Sequence, residues 1–441
     1  MAVVLLGCSF MLGQSQYKVL WSFTGYPNDG EFPVANLIMD KSGNLYGTTK
    51  GGGSYGYGTV FKLSPNQDGT WTEAILYSFC TQNINNRCQD GGSPQAGLGF
   101  DAQGNLYGTT VYGGTVLCFQ DSEGCGTVFE LSPQGGSWTE TVLYSFCTNK
   151  GNNVCLDGNL PLSQLTLDSS GNLYGTTEYG GTGTSAAGTV FELSPNGNGW
   201  IESVLYTFCS GGGYPACPDG AVPLAGVAFD KAGNLYGTTE SGGTNNVHGA
   251  GVVFKLSPGA NGWAETVLHS FHQGEDGGAP VAGVSFDTLG NLYGTFSAGG
   301  PYGGVFRILA KNGKTENFFF GGGGANGYDP RAGVLVDSKH ATLYGTTYAG
   351  GTGRGVVFEV VAPEEESVLY NFCSQPNCTD GDGSVASVIL DDAGNLYGTA
   401  ERGGTGTYCQ GGCGVVFEIV QQAPKGSASQ DALKSPHDEE H

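Results

Sequence analysis

A seven-residue stretch, GNLYGTT at residues 43–49, returns in near-identical form six more times and constrains the fold more than any other feature. The tyrosines of these copies are 61, 67, 62, 57, 51 and 53 residues apart, at Tyr46, Tyr107, Tyr174, Tyr236, Tyr293, Tyr344 and Tyr397. This period is too long for one coil of a solenoid and fits four short strands with their loops. The repeat therefore predicts a series of small, similar β-sheets.

Each period contains four segments with the pattern of β-strands, which we name a, b, c and d in chain order. In the second period they are PQAGLGFD, NLYGTT, GTVFELSP and WTETVLYSF, separated by Gly, Asn, Asp or Pro. Strand a is rich in small residues, which allow a close approach of backbones where several strands converge. We therefore expect strand a to line a central channel, and the Asp and Gly-Asn after it to form a hairpin turn.

The two ends of the repeat array complement each other. The first strand, YKVLWSF at 17–23, matches strand d, whereas the last, GVVFEIV at 414–420, matches strand c. Pairing of these ends would close a ring and remove exposed sheet edges. The sequence thus predicts an all-β, seven-bladed β-propeller over residues 17–420, with four antiparallel strands per blade and the N-terminal strand completing the last blade. Residues 1–16 are predicted to be a leader remnant, and residues 421–441 a disordered acidic tail.

Charge and hydropathy exclude several classes of partner. The formal net charge of −23 argues against binding to nucleic acid. The sequence has no run of eighteen apolar residues and so predicts no membrane-spanning helix. The start of the chain resembles the end of a signal peptide, and its LLGC segment makes Cys8 a candidate for lipidation and hence for a lipid anchor. The alternative is an ordinary cleaved leader.

The cysteines fall into close couples. Four couples lie in the same loop after strand d, and the two repeats with LHSFHQGEDGG or NFFFGGGGANG there lack both members. Because the two cysteines of a couple are present or absent together, they predict disulfides and an oxidising, extracellular or cell-surface location. A zinc site is disfavoured by the spacing and the lack of histidine partners. The predicted disulfides are Cys80–Cys88, Cys118–Cys125, Cys147–Cys155, Cys209–Cys217, Cys373–Cys378 and Cys409–Cys413.

A family resemblance rests on the whole repeat. GNLYGTT followed by a Gly-Gly loop, GTVFELSP, a Trp-Glu pair, VLYSF and DGxxP resembles the GloVer tandem-repeat proteins of bacteria over residues 17–420. The resemblance implies an extracellular location and repeated β-structure, but no generally assigned biochemical activity. Many members carry a C-terminal anchor, and none is evident in this sequence.

Candidate site residues lie where the repeats differ. In the fourth strand d, His269 replaces the usual Tyr and His272 the usual Cys, with His248 in the preceding loop. These histidines could supply a general base or metal ligands, or could be loop variation. Blades five and six concentrate basic residues, among them Arg307 and Arg331, which could orient an anionic ligand or simply balance nearby acids.

An Asp precedes each strand a, at Asp29, Asp90, Asp157, Asp219, Asp276, Asp329 and Asp380. Such carboxylates could ring one mouth of the channel and collect Ca²⁺, the one cofactor that the sequence suggests. The most calcium-like stretch is DGDG, with Asp380 and Asp382 as candidate metal ligands. The alternative is that each Asp caps the turn before its blade.

Three functions remain open at this point. Near-identical blades favour a non-catalytic, monomeric scaffold that binds a glycan or a surface protein, and we expect the protein not to be an enzyme. The second hypothesis is an extracellular polysaccharide-active hydrolase or lyase with its site at the channel mouth. The third is a purely structural envelope protein.

Overall fold

The computed structural model describes residues 16–421 apart from residues 86, 119–122, 152–153, 183–184, 198, 211–216, 245–248, 301, 322–325 and 362–364. Seven four-stranded antiparallel sheets follow one another along this part of the chain. The fold is therefore the predicted seven-bladed β-propeller. Cys8, residues 1–15 of the predicted leader and residues 422–441 of the predicted tail lie outside the described residues, and the predicted domain limits stay predictions.

The strands of each blade are given in the order a, b, c, d. Blade 1 consists of Ile38–Met39, Leu45–Thr49, Thr59–Pro65 and Trp71–Ser78, and blade 2 of Gly99–Phe100, Leu106–Thr110, Thr127–Gln134 and Ser137–Ser145. Blade 3 consists of Thr166–Leu167, Leu173–Thr177, Thr189–Asn196 and Gly199–Thr207, and blade 4 of Ala228–Phe229, Leu235–Thr239, Val252–Gly259 and Gly262–Ser270. Blade 5 consists of Ser285–Phe286, Leu292–Phe296, Gly304–Ile308 and Thr315–Phe319, and blade 6 of Leu335–Asp337, Thr342–Thr346, Val356–Val361 and Glu365–Asn371. Blade 7 consists of Ile389–Leu390, Leu396–Ala400, Val415–Val420 and Gln16–Ser22.

Short elements lie in the loops. In the loops that the structure describes, three two-stranded ladders pair Gly30–Glu31 with Gly51–Gly52, Lys150–Gly151 with Val154–Cys155, and Gly327–Tyr328 with Ala349–Gly350. Within the described residues, two short 3₁₀ helices span Gly274–Asp276 and Pro376–Cys378. The described part of the chain contains no helix with the length and apolarity that a membrane crossing requires.

The N-terminal strand closes the ring. Gln16–Ser22 pairs in antiparallel fashion with Val415–Val420, and the register places Tyr17 opposite Ile419 and Ser22 opposite Val415. The predicted closure is thus confirmed. Strand d of blade 7 comes from the start of the chain, whereas its strands a to c come from the end.

The hydrophobic core lies between the blades. Each of seven buried clusters in the described part of the chain combines side chains of two consecutive blades, including blades 7 and 1. One example unites Val60 and Phe79 of blade 1 with Leu106 and Phe129 of blade 2. Because every blade shares its apolar faces with both neighbours, the ring packs as one unit.

A threonine of strand b joins each blade to the next. Its hydroxyl donates to a backbone carbonyl beside strand a of the following blade, at 2.8 to 3.3 Å. The pairs are Thr48–Ala96, Thr109–Ser163, Thr176–Ala225, Thr238–Ala282, Thr295–Ala332, Thr346–Ala386 and Thr399–Ala35. The seventh bond crosses from blade 7 to blade 1, so the GNLYGTT motif also closes the ring.

The two faces of the ring differ. The face that carries the d–a and b–c loops is named the loop face, and the face with the a–b and c–d turns is named the turn face. On the turn face, Asp40 accepts hydrogen bonds from the Ser42 and Asn44 backbones, the Asn44 amide and the Tyr46 hydroxyl. The aspartates after strand a are therefore turn formers, as predicted.

Candidate functional site

The strand a segments line a central cavity of about 480 Å³, as predicted from their small residues. The side chains that can hydrogen-bond in its wall include the amides of Asn36, Gln95 and Gln164 and the hydroxyls of Ser285 and Ser387. Among the lining residues, all of which belong to the described part of the chain, Arg331 is the one with a titratable side chain. The cavity therefore presents hydrogen-bonding groups with little acid–base chemistry.

Two amides are fixed within this cavity. Asn36 Nδ2 donates to Gln164 Oε1 at 3.3 Å, and Gln164 Nε2 donates to the Leu98 carbonyl at 2.9 Å. Asn36 Oδ1 accepts a hydrogen bond from the Ser387 backbone N–H at 2.7 Å. On the next blade, a Cβ atom at Gly226 would lie 2.3 Å from the Gln164 carbonyl oxygen. Glycine is required there because two strands a approach each other too closely for a side chain.

One residue from each blade surrounds the mouth of the cavity on the loop face. These equivalent residues, which we call the collar, are Val34, Gln95, Leu162, Leu224, Val281, Arg331 and Val385. Arg331 is the charged exception, and its guanidinium lies 4.0 Å from the ring centroid of Tyr348. Its Nη2 atom lies 2.8 Å from Asp329 Oδ2. Ring and carboxylate together fix this cation at the mouth.

A second cavity, which we call the blade 7 cleft, lies on the loop face. It has a volume of about 550 Å³ and is lined by Phe32, Arg354, Asp382, Arg402, Gln410 and Gly411. Arg354 Nη1 lies 3.1 Å from Asp382 Oδ2, and the backbones of Asp382 and Arg402 bond to each other at 2.9 and 3.0 Å. Burial raises the pKa of Asp382, against the opposing effect of Arg354 and Arg402.

The aspartates predicted to ring the channel mouth accept hydrogen bonds from nearby residues of the protein instead. Asp90 accepts from the Thr81 backbone at 2.8 Å and from the Tyr77 hydroxyl at 2.7 Å, and the buried Asp380 binds Ser374 and Tyr370 in the same way. None of the seven aspartates, all of them described, lines the central cavity. These contacts match the capping role. The two calcium candidates, Asp380 and Asp382, have separate partners, and calcium binding there stays a prediction.

In blade 6 the predicted aspartate, Asp329, is not equivalent to the aspartates of the other blades. Asn326, followed by Gly327, occupies the position that Asp holds in the other blades, and its Nδ2 donates to Glu366 at 3.1 Å. Asp329 lies three residues later and binds Arg331 instead. The sequence alone hid this shift because the neighbouring NGYDP segment contains an Asp beside a Pro.

The structure brings His269 and His272 together around Asp276. His269 Nε2 lies 3.2 Å from Asp276 Oδ1, and His272 Nδ1 lies 2.7 Å from Asp276 Oδ2. Burial lowers the pKa of His269. Tyr77 holds the same place beside Asp90, so His269 occupies a position that Tyr fills in blades 1, 2, 3 and 6. Neither histidine lines the central cavity.

The remaining predicted ligand residues are apart from this pair. Arg307 is on strand c of blade 5, where its Nε donates to Glu316 Oε2 at 3.1 Å. His248 lies outside the described residues. The predicted set His248, His269, His272, Arg307 and Arg331 is therefore not seen as one site.

The six predicted cysteine couples are bonded as disulfides. Four of them fix the loops that lead from strand d to the next blade. Within the described residues, Cys118, Cys125 and Cys155 form one cluster with metal-ligand spacing. Because these three sulfurs are in disulfides, they offer no thiolate for a metal.

The partly buried glutamates of strand d were not identified from the sequence as titratable groups. Burial, and then repulsion by the nearby Asp29, Asp90 or Asp157, raises the pKa values of Glu73, Glu140 and Glu202 to about 8. Their signal in the sequence is the Glu that follows each Trp by two residues. Since they recur at equivalent junctions between blades, they mark the architecture and not one reaction centre.

Three solved structures are similar to this chain at low sequence identity. A Thermus thermophilus protein described as an oxidoreductase (glucose dehydrogenase) is 14% identical, with a TM-score of 0.42 and coverage of 92% of this chain and 100% of that one. A xyloglucanase from Xanthomonas campestris is 15% identical, with a TM-score of 0.47 and coverage of 88% and 52%. A Lactobacillus plantarum protein is 13% identical, with a TM-score of 0.45 and coverage of 88% and 98%.

The sequence itself identifies the family. No curated protein matches it. The family model of the Gloeobacter/Verrucomicrobia repeat matches residues 7–249 and 231–429, which together span the whole propeller. With the repeat, the ring and this match in agreement, the chain belongs to the Gloeobacter/Verrucomicrobia repeat family.

Proposed function

We propose that this protein is a secreted or surface-attached β-propeller that binds a glycan or a surface protein without catalysing a reaction, through the channel mouth on the loop face. The six disulfides support an oxidising location. The observation that carries the proposal is the chemistry of the central cavity, with its amides, hydroxyls and one titratable residue.

The cavity wall suits sugar hydroxyls. Each hydroxyl both donates and accepts hydrogen bonds, and the amides of Asn36, Gln95 and Gln164 do the same. Glycoside hydrolysis, in contrast, typically needs two carboxyl groups on either side of the bond that breaks. The wall offers no such pair among its lining residues, all of them described. This composition favours binding over turnover.

The groups of the site are also held in place before a ligand arrives. Asn36 and Gln164 bond to each other and to the backbone, and Tyr348 and Asp329 hold Arg331. Side chains that are already ordered lose little entropy on binding. A cavity of this volume is within the range of small-ligand sites and would take the end of a glycan chain.

The test begins with a glycan array and a panel of surface proteins, followed by calorimetry on the best binder. We expect Gln164→Ala to weaken binding by about two- to tenfold, the effect of one lost hydrogen bond. Gln103→Ala is the matched control, because Gln103 is an exposed amide in a turn on the turn face. Equal melting temperatures of the variants confirm that folding is unchanged.

Incubation with soluble polysaccharides separates binding from catalysis. New reducing ends or unsaturated products would overturn the non-catalytic proposal in favour of a hydrolase or lyase. The absence of both binding and turnover would leave the purely structural envelope role. If the Gln164→Ala substitution leaves the affinity unchanged, the ligand binds outside the channel.

A further inference from the structure

We propose that the blade 7 cleft binds the carboxylate of an acidic sugar unit, so that the glycan partner of this protein contains uronate-type residues. This inference rests on the proposed function and names the class of glycan.

Both arginines are departures from the repeat. The position of Arg354 is held in the other blades by Tyr57, Cys125, Ala187, Ala250, Tyr302 and Cys413. The position of Arg402 is held by Gly51, Tyr112, Tyr179, Ser241, Ala298 and Ala349. Blades 6 and 7 thus each place an arginine in one cleft where no other blade has one. The blade architecture does not require either residue, because six copies of the repeat fold without it.

The cleft has a surplus of positive charge. Its lining holds two guanidinium cations and one carboxylate, on a protein whose formal net charge is −23. Asp382 is largely buried, with 15% of its side chain exposed, whereas 56% of the Arg354 side chain is exposed. The acid therefore lies beneath the arginine, and N–H donors of the guanidinium face the solvent. A guanidinium has five such donors, in a geometry that matches a carboxylate.

The neighbouring groups fit a sugar ring that carries this carboxylate. Phe32 is partly exposed in the cleft wall and offers an apolar surface to the C–H face of a pyranose. Gln410 adds an exposed amide for ring hydroxyls. One surplus charge is balanced by a singly charged carboxylate, whereas a doubly charged phosphate would be repelled by Asp382 and by the acidic body.

The cleft is next to the channel mouth. The Gly383 backbone donates to the Arg354 carbonyl at 2.9 Å, and a Cβ atom at Gly383 would lie 3.1 Å from the Tyr348 ring. Tyr348 in turn contacts Arg331 of the collar. A glycan could therefore place one unit at the mouth and an acidic unit in the cleft.

Calorimetry with trigalacturonic acid, its methyl ester and neutral galactotriose tests the inference. We expect the acid to bind more tightly than the ester, and Arg354→Gln and Arg402→Gln each to lower affinity for the acid by about tenfold or more, as expected for hydrogen bonds to a charged group. The control is Lys339→Gln, which removes the same charge from an exposed residue on the turn face and should leave the affinity unchanged.

The outcomes separate this inference from the proposed function. Equal affinity for acid and ester, no binding of the acid at low salt, or unchanged affinity in both arginine variants would overturn the acidic-sugar site. Neutral glycans that still bind on the array would leave the proposed function in place. Tighter binding of a sulfated sugar than of the acid would contradict the carboxylate assignment, and tighter binding of an acidic peptide would contradict the assignment to a sugar. Melting temperatures confirm that each variant is folded.

Discussion

At the scale of single residues, the glycine of each LYG triplet makes room for an aromatic ring. A Cβ atom there would lie 2.4 to 2.7 Å from the Cζ atom of a phenylalanine on strand c. The pairs are Gly47–Phe61, Gly108–Phe129, Gly175–Phe191, Gly237–Phe254, Gly294–Phe306, Gly345–Phe358 and Gly398–Phe417. The ring can therefore cover strand b only because that strand has no side chain at this point.

We expect Gly175→Ala to destabilise the protein by about 1–3 kcal/mol, because the added methyl group overlaps the buried Phe191 ring. Gly199→Ala is the control, since a Cβ atom there meets nothing within 4 Å and the residue is exposed. Urea unfolding measures the free energy of unfolding of both variants. An equal effect of the two substitutions would show that backbone flexibility, and not space, selects glycine in the triplet.

At the scale of elements, strand d carries a partly buried acid to each of several junctions between blades. Glu140 on strand d of blade 2 lies near Asp90, which caps the chain leaving blade 1, and near Tyr77 of blade 1. The Oε1 atoms of Glu73, Glu140, Glu202 and Glu265 are buried without a hydrogen-bond partner. A carboxyl group in such a place is more stable when it is protonated.

Stability should therefore decrease as the pH rises. The pKa values of Glu73, Glu140 and Glu202 are raised to about 8 in the folded protein, so the folded state holds more protons than the unfolded state between the ordinary glutamate pKa and pH 8. Raising the pH through this window removes those protons at a cost that only the folded state bears. We expect the melting temperature to fall between about pH 6.5 and about pH 8.5.

Glu140→Gln should make that fall smaller, because the amide stays neutral at every pH. Glu130→Gln, on strand c of the same blade, is the matched control and should leave the slope unchanged. The lowered pKa of His269 makes stability rise with pH, but this effect belongs to more acidic pH. Starting the measurement at about pH 6.5 therefore limits the contribution of His269 to the melting temperature. A melting temperature that stays constant or rises over this whole range would contradict the assignment.

At the scale of the whole molecule, the ring depends on a strand from the far end of the chain. The seven core clusters join consecutive blades, and the cluster between blades 7 and 1 includes Phe23, Phe61 and Val416. Without the N-terminal strand, the last blade would present Val415–Val420 as an unpaired edge. The closure therefore gives both stability and protection against edge-to-edge association.

Deletion of residues 1–22 should destabilise the protein by on the order of 5 kcal/mol or more, since it removes a seven-residue strand whose hydrogen bonds each contribute about 1 kcal/mol. We also expect aggregation through the exposed edge. Thermal unfolding and light scattering measure both effects. Deletion of residues 422–441, which belong to the predicted disordered tail at 421–441, is the control. An equally stable monomer after the N-terminal deletion would refute the role of closure.

The sequence by itself determined the number of blades, the order of their strands, the closure and the cysteine couples. These features follow from local patterns that repeat with one period, so each copy supports the assignment of the others. Strand a was placed at the channel for the same reason, because close backbone approach requires small residues such as Gly226.

Only the tertiary structure decided which non-repeating residues meet. Arg354 and Arg402 are 48 residues apart and belong to different blades, yet both line one cleft with Asp382. The shift from Asp329 to Asn326 in blade 6 and the burial of Glu140 were equally hidden. The physical reason is that the repeat period and the composition indicate the backbone conformation of each blade. A site depends instead on the paths of loops from neighbouring blades, and on which side chains their packing shields from solvent.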